Sequence, residues 1–388
     1  MSLSTTLDTL LNQATASGKI PGVIATVADG SGVIYEGASG ARSLGQPAPM
    51  TIDTVAWYAS MTKAVTGAAA MQLVERGKLS LDAPAGKVCP ELANPQVLEG
   101  FDDAGNPRLR PARGNVTLRN LLTHSAGFSY EIWNPVAAQE LESRGIDNIL
   151  SGTQATLNRP LLHDPDTVWD YGPGIDWAGR MVEEVSGQRL GDFMRDNLFK
   201  PLGMDSTGFR LTPEQRQRLA GMHARLPEGN LVPYPFEVDQ NAPLDMGGHA
   251  LYGTLPDYLR FTRMIMGGGQ LDGVRVLEAR TVADMAQNQM GELNVTPLPA
   301  AGPYSNPVDF HPGVNCKWGL SFLINMGKTA QGRSAGSLSW AGLSNCYFWI
   351  DPTAQVTGAL MTQILPFYDG PVVDLLHQFE SSIYQSRR

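Results

Sequence analysis

The sequence predicts an α/β (α+β) fold, in which one antiparallel sheet is built from both chain ends, flanked by helices, and interrupted by an α-rich insert. β-branched and aromatic runs typical of strands occur near the N-terminus and again after residue 317. The segment 86–234 carries helical patterns and many Pro, Gly and Asn residues, but few strand-like runs. We therefore expect an α/β domain from 1–85 and 235–388, an inserted α-rich domain over 86–234, and a functional site in the cleft between them.

The elements follow from local patterns in chain order. Apolar residues spaced three to four apart predict an amphipathic helix within the first 20 residues. Two β-branched runs, 21–28 and 32–36, are joined by Asp-Gly-Ser-Gly and predict a β-hairpin. An apolar helix follows from Ser60, with Gly77 placed to end it. Further predicted helices are 117–124, 135–143, 174–185, 190–198, 254–266, 277–289 and 370–384, and further predicted strands are 318–324, 337–340, 346–350 and 356–363.

Composition excludes several classes of protein. Lys and Arg number 29 against 38 Asp and Glu, a net charge of −9, which argues against nucleic acid as the main partner. Three widely spaced cysteines without a CxxC pair fit neither a disulfide framework nor a zinc site, and they favour a reducing compartment. The N-terminus lacks the features of a signal peptide, and no run of 18 apolar residues is long enough to span a membrane. We expect a cytoplasmic globular protein without a membrane or nucleic-acid partner.

Ser60 and Lys63 form the sharpest chemical signal, a Ser-x-x-Lys motif. Residues i and i+3 share one face of a helix, so the lysine amine can reach the serine hydroxyl. Serine is a weak nucleophile without an adjacent base, and the free N–H groups of a helix N-terminus suit a developing oxyanion. Lys63 also lies in an apolar run with no acidic residue at i±3 or i±4. Burial there lowers the pKa of a lysine, as a general base requires.

Two further segments bear on the same chemistry. Tyr171 precedes Gly-Pro-Gly, which turns the chain just before a predicted helix and places the tyrosine at a loop tip. Trp340-Ala341-Gly342 ends a predicted strand, where small residues let a backbone N–H approach a ligand. His249, beside two glycines, is a candidate for the cleft wall. Each segment also has a plain structural interpretation, as a packed tyrosine, an edge turn and a core histidine.

Six motifs in the same order carry a resemblance to a known family. They are SMTK at 60–63, ERGKLSLDAP at 75–84, LRNLLTHSAGF at 118–128, Tyr171, FKPLGM at 199–204 and WAG at 340–342. Together they resemble the serine β-lactamase and penicillin-recognition superfamily. The likeness is greatest to its esterase branch, the family VIII carboxylesterases related to class C β-lactamases. The resemblance spans residues 20 to 365 and implies the β-lactamase/transpeptidase-like fold.

The resemblance implies roles for particular residues. Ser60 is the expected acylated nucleophile, Lys63 its proton acceptor, and Tyr171 the second member of the base pair, which passes the proton to the leaving group. The expected oxyanion hole comprises the backbone N–H groups of Ser60 and Leu343. Trp340, Ala341, Gly342, Tyr58 and His249 are the expected substrate-binding residues. The resemblance further implies that neither a metal nor a cofactor takes part.

Two departures from β-lactamases favour esters as substrates. Pro173 stands where β-lactamases have the Asn of Tyr-x-Asn, and Trp340-Ala341-Gly342 stands where they have Lys-Thr-Gly. The expected function is therefore hydrolysis of short- to medium-chain carboxylic esters through an acyl-enzyme, with acyl transfer when an alcohol binds. A β-lactamase, a D-amino-acid peptidase or amidase, and a non-catalytic binding protein are the alternatives. Loops 94–115, 226–248 and 291–314 are expected to wall the cleft, and the oligomeric state stays open.

Overall fold

The computed structural model describes residues 2–387. Its α-helices are, in chain order, α1 (Leu3–Ala16), α2 (Thr62–Glu75), α3 (Leu118–Thr123), α4 (Pro135–Ser143), α5 (Gln154–Leu157), α6 (Gly174–Ser186), α7 (Leu190–Met194), α8 (Lys200–Leu202), α9 (Pro213–Gln217), α10 (Leu255–Met266), α11 (Ala279–Met285) and α12 (Gly370–Ser386). Its strands are β1 (Gly22–Asp29), β2 (Gly32–Gly40), β3 (Ala56–Trp57), β4 (Gln96–Phe101), β5 (Pro107–Pro111), β6 (His223–Arg225), β7 (Leu231–Pro233), β8 (Tyr252–Gly253), β9 (Gln270–Leu271), β10 (Val274–Arg275), β11 (Cys316–Trp318), β12 (Leu323–Asn325), β13 (Leu338–Gly342), β14 (Cys346–Asp351), β15 (Val356–Met361) and β16 (Ile364–Leu365).

The main sheet is antiparallel and joins the two ends of the chain, as the sequence predicts. Across the described residues its strand order is β11-β12-β13-β14-β15-β1-β2. Ile24 of β1 lies opposite Met361 of β15. The two faces of the sheet pack on different helices: Phe348 contacts Tyr258 of α10, whereas its neighbour Trp349 contacts Phe379 of α12. Because successive side chains of β14 point to opposite faces of the sheet, both faces are covered by helices.

Helix α2 lies at the centre of the molecule. A 3₁₀ turn, Ala59–Met61, leads directly into it, and residues 62–73 are all buried. A helix that is buried on every side must be apolar on every side, which explains the Ala-rich sequence. Lys63 in its first turn is completely buried.

Three sequence-based expectations about elements are wrong. Residues 94–115 are largely a β-hairpin, β4 and β5, whose turn forms around Asp102 as its carboxylate accepts the N–H groups of Ala104 and Asn106. The predicted strand 318–324 is two strands, β11 and β12, because the chain reverses at Ser321, whose φ is 78°. The predicted helix 277–289 is shorter, since α11 covers only Ala279–Met285.

Expectations about compartment rest on composition alone. The cysteines at 89, 316 and 346 are buried and unpaired. Across residues 2–387 the structure contains no helix with the length and hydrophobicity needed to cross a bilayer. A cytoplasmic location stays a prediction.

Candidate active site

Ser60 lies in the 3₁₀ turn that precedes α2 and is half-buried. The residue before it, Ala59, has a φ of 47°, in the left-handed region that non-glycine residues seldom adopt. Backbone strain of this kind is concentrated at functional sites, where the surrounding structure enforces it. Ser60 opens onto a narrow cavity of about 20 Å³, called here the Ser60 cavity. It is lined by Trp57, Ala59, Ser60, Tyr130, Ile132, Trp133, Ile149, Leu150, His249 and Leu343.

Lys63 is held next to Ser60 by three polar contacts. Its Nζ lies 3.1 Å from Ser60 Oγ, 3.0 Å from the Tyr130 hydroxyl and 2.8 Å from the Gly248 carbonyl oxygen. The i, i+3 spacing on the helix therefore produces the contact that the motif predicts. Burial lowers the pKa of Lys63 to about 7, and the nearby Asp176 carboxylate opposes that shift. With a pKa so close to neutrality, a substantial fraction of the amine is in its basic form at pH 7.

Asp176 and Tyr130 were missed by the sequence analysis. Asp176, in the first turn of α6, is buried; its Oδ1 accepts the Gly248 N–H at 2.7 Å, and its Oδ2 accepts the Tyr130 O–H at 3.3 Å. A Cβ on Gly248 would lie 2.3 Å from Asp176 Oδ2, so only glycine permits this approach. Burial raises the pKa of Asp176, and Lys63 counters that rise. The overlooked signal was a carboxylate flanked by Ile175 and Trp177 at the start of an amphipathic helix.

Tyr171 lies in the loop before α6 and is fully enclosed by aromatic rings. Its hydroxyl accepts the indole N–H of Trp340 at 3.0 Å, and its ring lies 4.8 Å from Lys63 Nζ. Burial raises the pKa of Tyr171, although hydrogen bonding with Ser60 and Trp340 works in the opposite direction. The phenol therefore carries its proton at neutral pH. Rings within 5.2 Å of it, between centroids, are His124, Tyr130, Trp133 and Trp340.

The end of β13 packs against the segment that precedes Ser60. A Cβ on Gly342 would lie 2.3 Å from the Tyr58 carbonyl oxygen and 3.2 Å from the Ala59 Cβ. The glycine of Trp-Ala-Gly is therefore required for close contact of the two backbones. This contact places Leu343 beside Ser60, and both residues line the Ser60 cavity.

Three of the expected substrate-binding side chains face elsewhere. Tyr58 packs edge-on against Tyr258 and donates its hydroxyl proton to the Thr254 carbonyl, away from the cavity. Trp340 borders a neighbouring cavity of about 280 Å³ and reaches the site only through Tyr171. Ala341 is buried in β13, opposite Tyr347. Among residues 2–387, the large aromatic side chains that do line the Ser60 cavity are Trp57, Tyr130 and Trp133.

Apart from Ser60 and Tyr130, the lining of the Ser60 cavity is apolar except for His249. Both ring nitrogens of His249 are buried without a hydrogen-bond partner in the described structure, and burial lowers the pKa of His249 to about 3. The Nδ1 atom lies 3.8 Å from Asp176 Oδ1, and the neutral imidazole has hydrogen-bonding capacity that the described structure does not use. Three apolar residues of the wall, Ile132, Ile149 and Leu150, also border a larger outer groove of about 440 Å³.

The expected walls at 94–115, 226–248 and 291–314 contribute no residue to the described lining of the Ser60 cavity. The hairpin at 94–115 borders a separate cavity near Trp177. The segment 291–314 borders the outer groove through Gly302, Pro303 and Tyr304, and its Ser305 accepts the indole N–H of Trp133 at 3.0 Å. Segments 130–133 and 149–150 form the wall instead.

Known proteins share this sequence and fold over nearly the whole chain. The Beta-lactamase family profile matches residues 7–379. A monacolin J acid methylbutanoyltransferase from Aspergillus terreus is 32% identical, over 97% of this chain and 95% of its own. A lovastatin esterase from Penicillium rubens is 32% identical, over 98% of both chains. Simvastatin synthase from Aspergillus terreus, as the LovD6 mutant, superposes with a TM-score of 0.86 at 30% identity, covering 99% of this chain and 97% of its own.

These matches confirm the fold and the superfamily that the ordered motifs predict. The assignment to family VIII within that superfamily stays a prediction. The relatives include both an acyltransferase and an esterase, so the matches do not distinguish between these two activities. The chain belongs to the Beta-lactamase family.

Proposed function

We propose that this protein is a serine esterase that forms an acyl-enzyme at Ser60 and passes the acyl group to water or to an alcohol. The observation that carries the proposal is the contact of 3.1 Å between Ser60 Oγ and the enclosed Lys63 amine. The pKa of that amine, lowered to about 7, suits a general base at neutral pH. A serine hydroxyl becomes an effective nucleophile when such a base accepts its proton.

In the proposed reaction Ser60 Oγ attacks the ester carbonyl carbon, and its proton moves to Lys63 Nζ. The backbone N–H groups of Ser60 and Leu343 stabilise the oxyanion. Tyr171 gives a proton to the departing alkoxide, and Lys63 returns one to Tyr171. Water or an alcohol then attacks the acyl-enzyme, with the proton transfers reversed. The lysine and the tyrosine thus act as a pair through Ser60, whose hydroxyl contacts Lys63 Nζ and hydrogen-bonds with Tyr171.

Esters are favoured over β-lactams by the chemistry of the cavity wall. A β-lactam antibiotic carries a carboxylate, and none of the described residues that line the Ser60 cavity is Lys or Arg. Trp340 and Ala341 occupy the positions of the lysine and threonine that meet that carboxylate in β-lactamases. A neutral acyl chain suits the apolar wall, and each buried methylene contributes about 0.8 kcal/mol.

The small volume of the Ser60 cavity favours a short acyl group. Its volume of about 20 Å³ leaves little space beside Ser60, whereas the outer groove is far larger. The relatives' names point the same way, because one of them transfers a methylbutanoyl group. We propose that the acyl chain lies against Ile149 and Leu150, while the alcohol portion extends toward the outer groove.

Intact-mass spectrometry with peptide mapping tests the proposal. Brief exposure to p-nitrophenyl butyrate should add one butyryl group at Ser60, and Ser60→Ala should add none. Side-by-side kcat/KM values for this ester and for nitrocefin test the substrate class. Acylation at another residue would overturn the nucleophile assignment. A nitrocefin value equal to that of the ester would overturn the esterase assignment. Loss of the acyl group to added alcohols, measured as ester product, separates transfer from hydrolysis.

A further inference from the structure

We propose that Asp176 is a positioning residue that aims the lone pair of Lys63 at Ser60, acting through Tyr130 and Gly248. The inference rests on the proposed function, because it concerns how the general base of that reaction is oriented. Asp176 is not among the residues that line the Ser60 cavity, although its Oδ1 lies 3.8 Å from Nδ1 of His249, which does line it. It acts because its two carboxylate oxygens hold the two other groups that contact the lysine amine.

The argument begins with the hydrogen atoms of a neutral lysine. A neutral amine has two N–H donors and one lone pair, and Lys63 Nζ has three polar neighbours. The Gly248 carbonyl oxygen can only accept, so it takes one N–H. The Tyr130 hydroxyl and the Ser60 hydroxyl compete for the second N–H and the lone pair. Only one arrangement leaves the lone pair facing Ser60 Oγ.

Asp176 decides that competition. Its Oδ2 accepts the single hydroxyl proton of Tyr130, so the Tyr130 oxygen is left to accept from Lys63. Both N–H groups of the amine are then engaged, and the lone pair points at Ser60. The other carboxylate oxygen, Oδ1, holds the Gly248 N–H at 2.7 Å and fixes the position of the Gly248 carbonyl. One buried carboxylate thus orients both acceptors of the base.

Asp176 is also the charged group that acts most directly on Lys63. Four titratable groups around the amine are uncharged at neutral pH: burial lowers the pKa of His124 and His249 and raises the pKa of Tyr130 and Tyr171. The ion pair of Arg159 and Glu131 lies one layer farther out, against Asp176 and Tyr130. Removing the charge of Asp176 should therefore favour the neutral amine, while it removes the orientation of that amine.

The substitution Asp176→Asn separates charge from orientation because it keeps the shape of the side chain. Its Oδ1 still accepts the Gly248 N–H, which places the amide nitrogen toward Tyr130 as a donor. The hydroxyl proton of Tyr130 is then turned toward Lys63, where the lone pair accepts it in place of the Ser60 proton. A second substitution, Tyr130→Phe, removes that hydroxyl and with it the misdirected proton.

Single-turnover acylation of Ser60 by p-nitrophenyl butyrate tests the inference in the 388-residue chain. Asp176→Asn should slow acylation by about 10²–10⁴-fold, the range typical of a lost general base. Tyr130→Phe should slow it by about ten-fold, the equivalent of one hydrogen bond. The double variant should be no slower than Tyr130→Phe alone, within about three-fold. The pH of half-maximal acylation should also fall in Asp176→Asn, a change that a merely structural role would not cause.

Three outcomes would overturn the inference. In the first, Asp176→Asn is acylated at a rate within about three-fold of the parent rate. In the second, the fall in acylation rate of the double variant equals the product of the falls in the two single variants. In the third, Tyr130→Phe is acylated as fast as the parent. The acylation rate of Tyr130→Phe tests the inference even if Asp176→Asn does not fold, because Tyr130→Phe keeps the aromatic packing. A parent protein that is not acylated at Ser60 would instead refute the proposed function, which distinguishes the two failures.

Discussion

The surroundings of Ser60 differ on its two sides. On the polar side lie Lys63 and its hydrogen-bonding partners, and on the apolar side lies the wall of the Ser60 cavity. On the polar side every hydrogen-bonding position of the Lys63 amine is engaged within 3.1 Å. On the apolar side His249 has two unpartnered ring nitrogens among aliphatic and aromatic neighbours. Under the proposed function, the geometry of the base is therefore fixed before a ligand arrives, whereas ligand recognition relies on shape and one free hydrogen-bonding group.

The largest expected effect comes from removing the nucleophile on the border between the two sides. Ser60→Ala should lower kcat by about 10⁴-fold or more and abolish acyl labelling, because the remaining groups form no covalent bond to the substrate. Circular dichroism should show an unchanged fold. Turnover above one-hundredth of the parent value would place the chemistry elsewhere.

Replacing the proposed base by arginine should be nearly as damaging. Lys63→Arg places a permanent cation beside Ser60 and cannot accept the Ser60 proton, because guanidinium does not lose its own proton near neutral pH. We expect a fall in kcat of about 10⁴-fold. Lys328→Arg, at an exposed position, is the matched control and should match the parent. Substantial activity in Lys63→Arg would mean that Lys63 supplies only charge.

Tyr171→Phe keeps the ring and removes only the hydroxyl. We expect kcat to fall by about 10²–10⁴-fold through loss of proton transfer to the leaving group. The structure adds a cost in stability, since the buried Trp340 N–H would lose its acceptor, at about 1–3 kcal/mol. Thermal unfolding measures this second effect. Normal turnover with a lower Tm would show that Tyr171 serves packing alone.

The pH dependence of acylation follows from the polar side as well. Lys63 must be neutral to accept a proton, so activity should be low below its pKa of about 7 and should level off above it. The expected slope is about ten-fold per pH unit on the acidic limb, measured as kcat/KM for p-nitrophenyl butyrate from pH 5 to 9. Tyr171, whose pKa is raised, should not titrate in that range. A flat profile between pH 6 and 9 would argue against Lys63 as the base.

The smallest effect should come from the apolar side. Ile149→Ala should shift acyl preference toward longer chains, by about four-fold per added methylene, since each contributes about 0.8 kcal/mol when buried. Ile20→Ala, equally buried but outside the cavity, should lose comparable stability without changing chain-length preference. Equal preferences in the two variants would show that Ile149 does not contact the acyl chain.

The sequence predicted best those features that depend on neighbours along the chain. The contact between Ser60 and Lys63 follows from helical spacing, and the hairpin of β1 and β2 follows from a short turn between β-branched runs. The order of the motifs along the chain also predicted the fold. Features that depend on distant elements were less accessible. Asp176 contacts Gly248, 72 residues away, and no local pattern reports such a pairing.

The errors have the same physical origin. Trp340 lies near Ser60 in space, but its indole N–H donates to the Tyr171 hydroxyl. Tyr58 lies near Ser60 in sequence, but its hydroxyl donates to the Thr254 carbonyl. Proximity of a backbone to the nucleophile does not determine where its side chain points. The residues that line the cavity, such as Ile149 and Trp133, belong to segments with no catalytic motif. Their position is set by tertiary packing alone.

The pairing of β1 with β15 has a consequence for how the chain matures. More than 300 residues separate these partners, so the closing contact of the main sheet is among the most non-local in the molecule. Such contacts form late, because a long segment must be ordered before they can stabilise anything. A nascent chain that has emerged only to β2 therefore exposes the β1 edge without its partner, a state prone to aggregation. Chaperone dependence during synthesis should accordingly be greatest before residues 356–361 emerge from the ribosome.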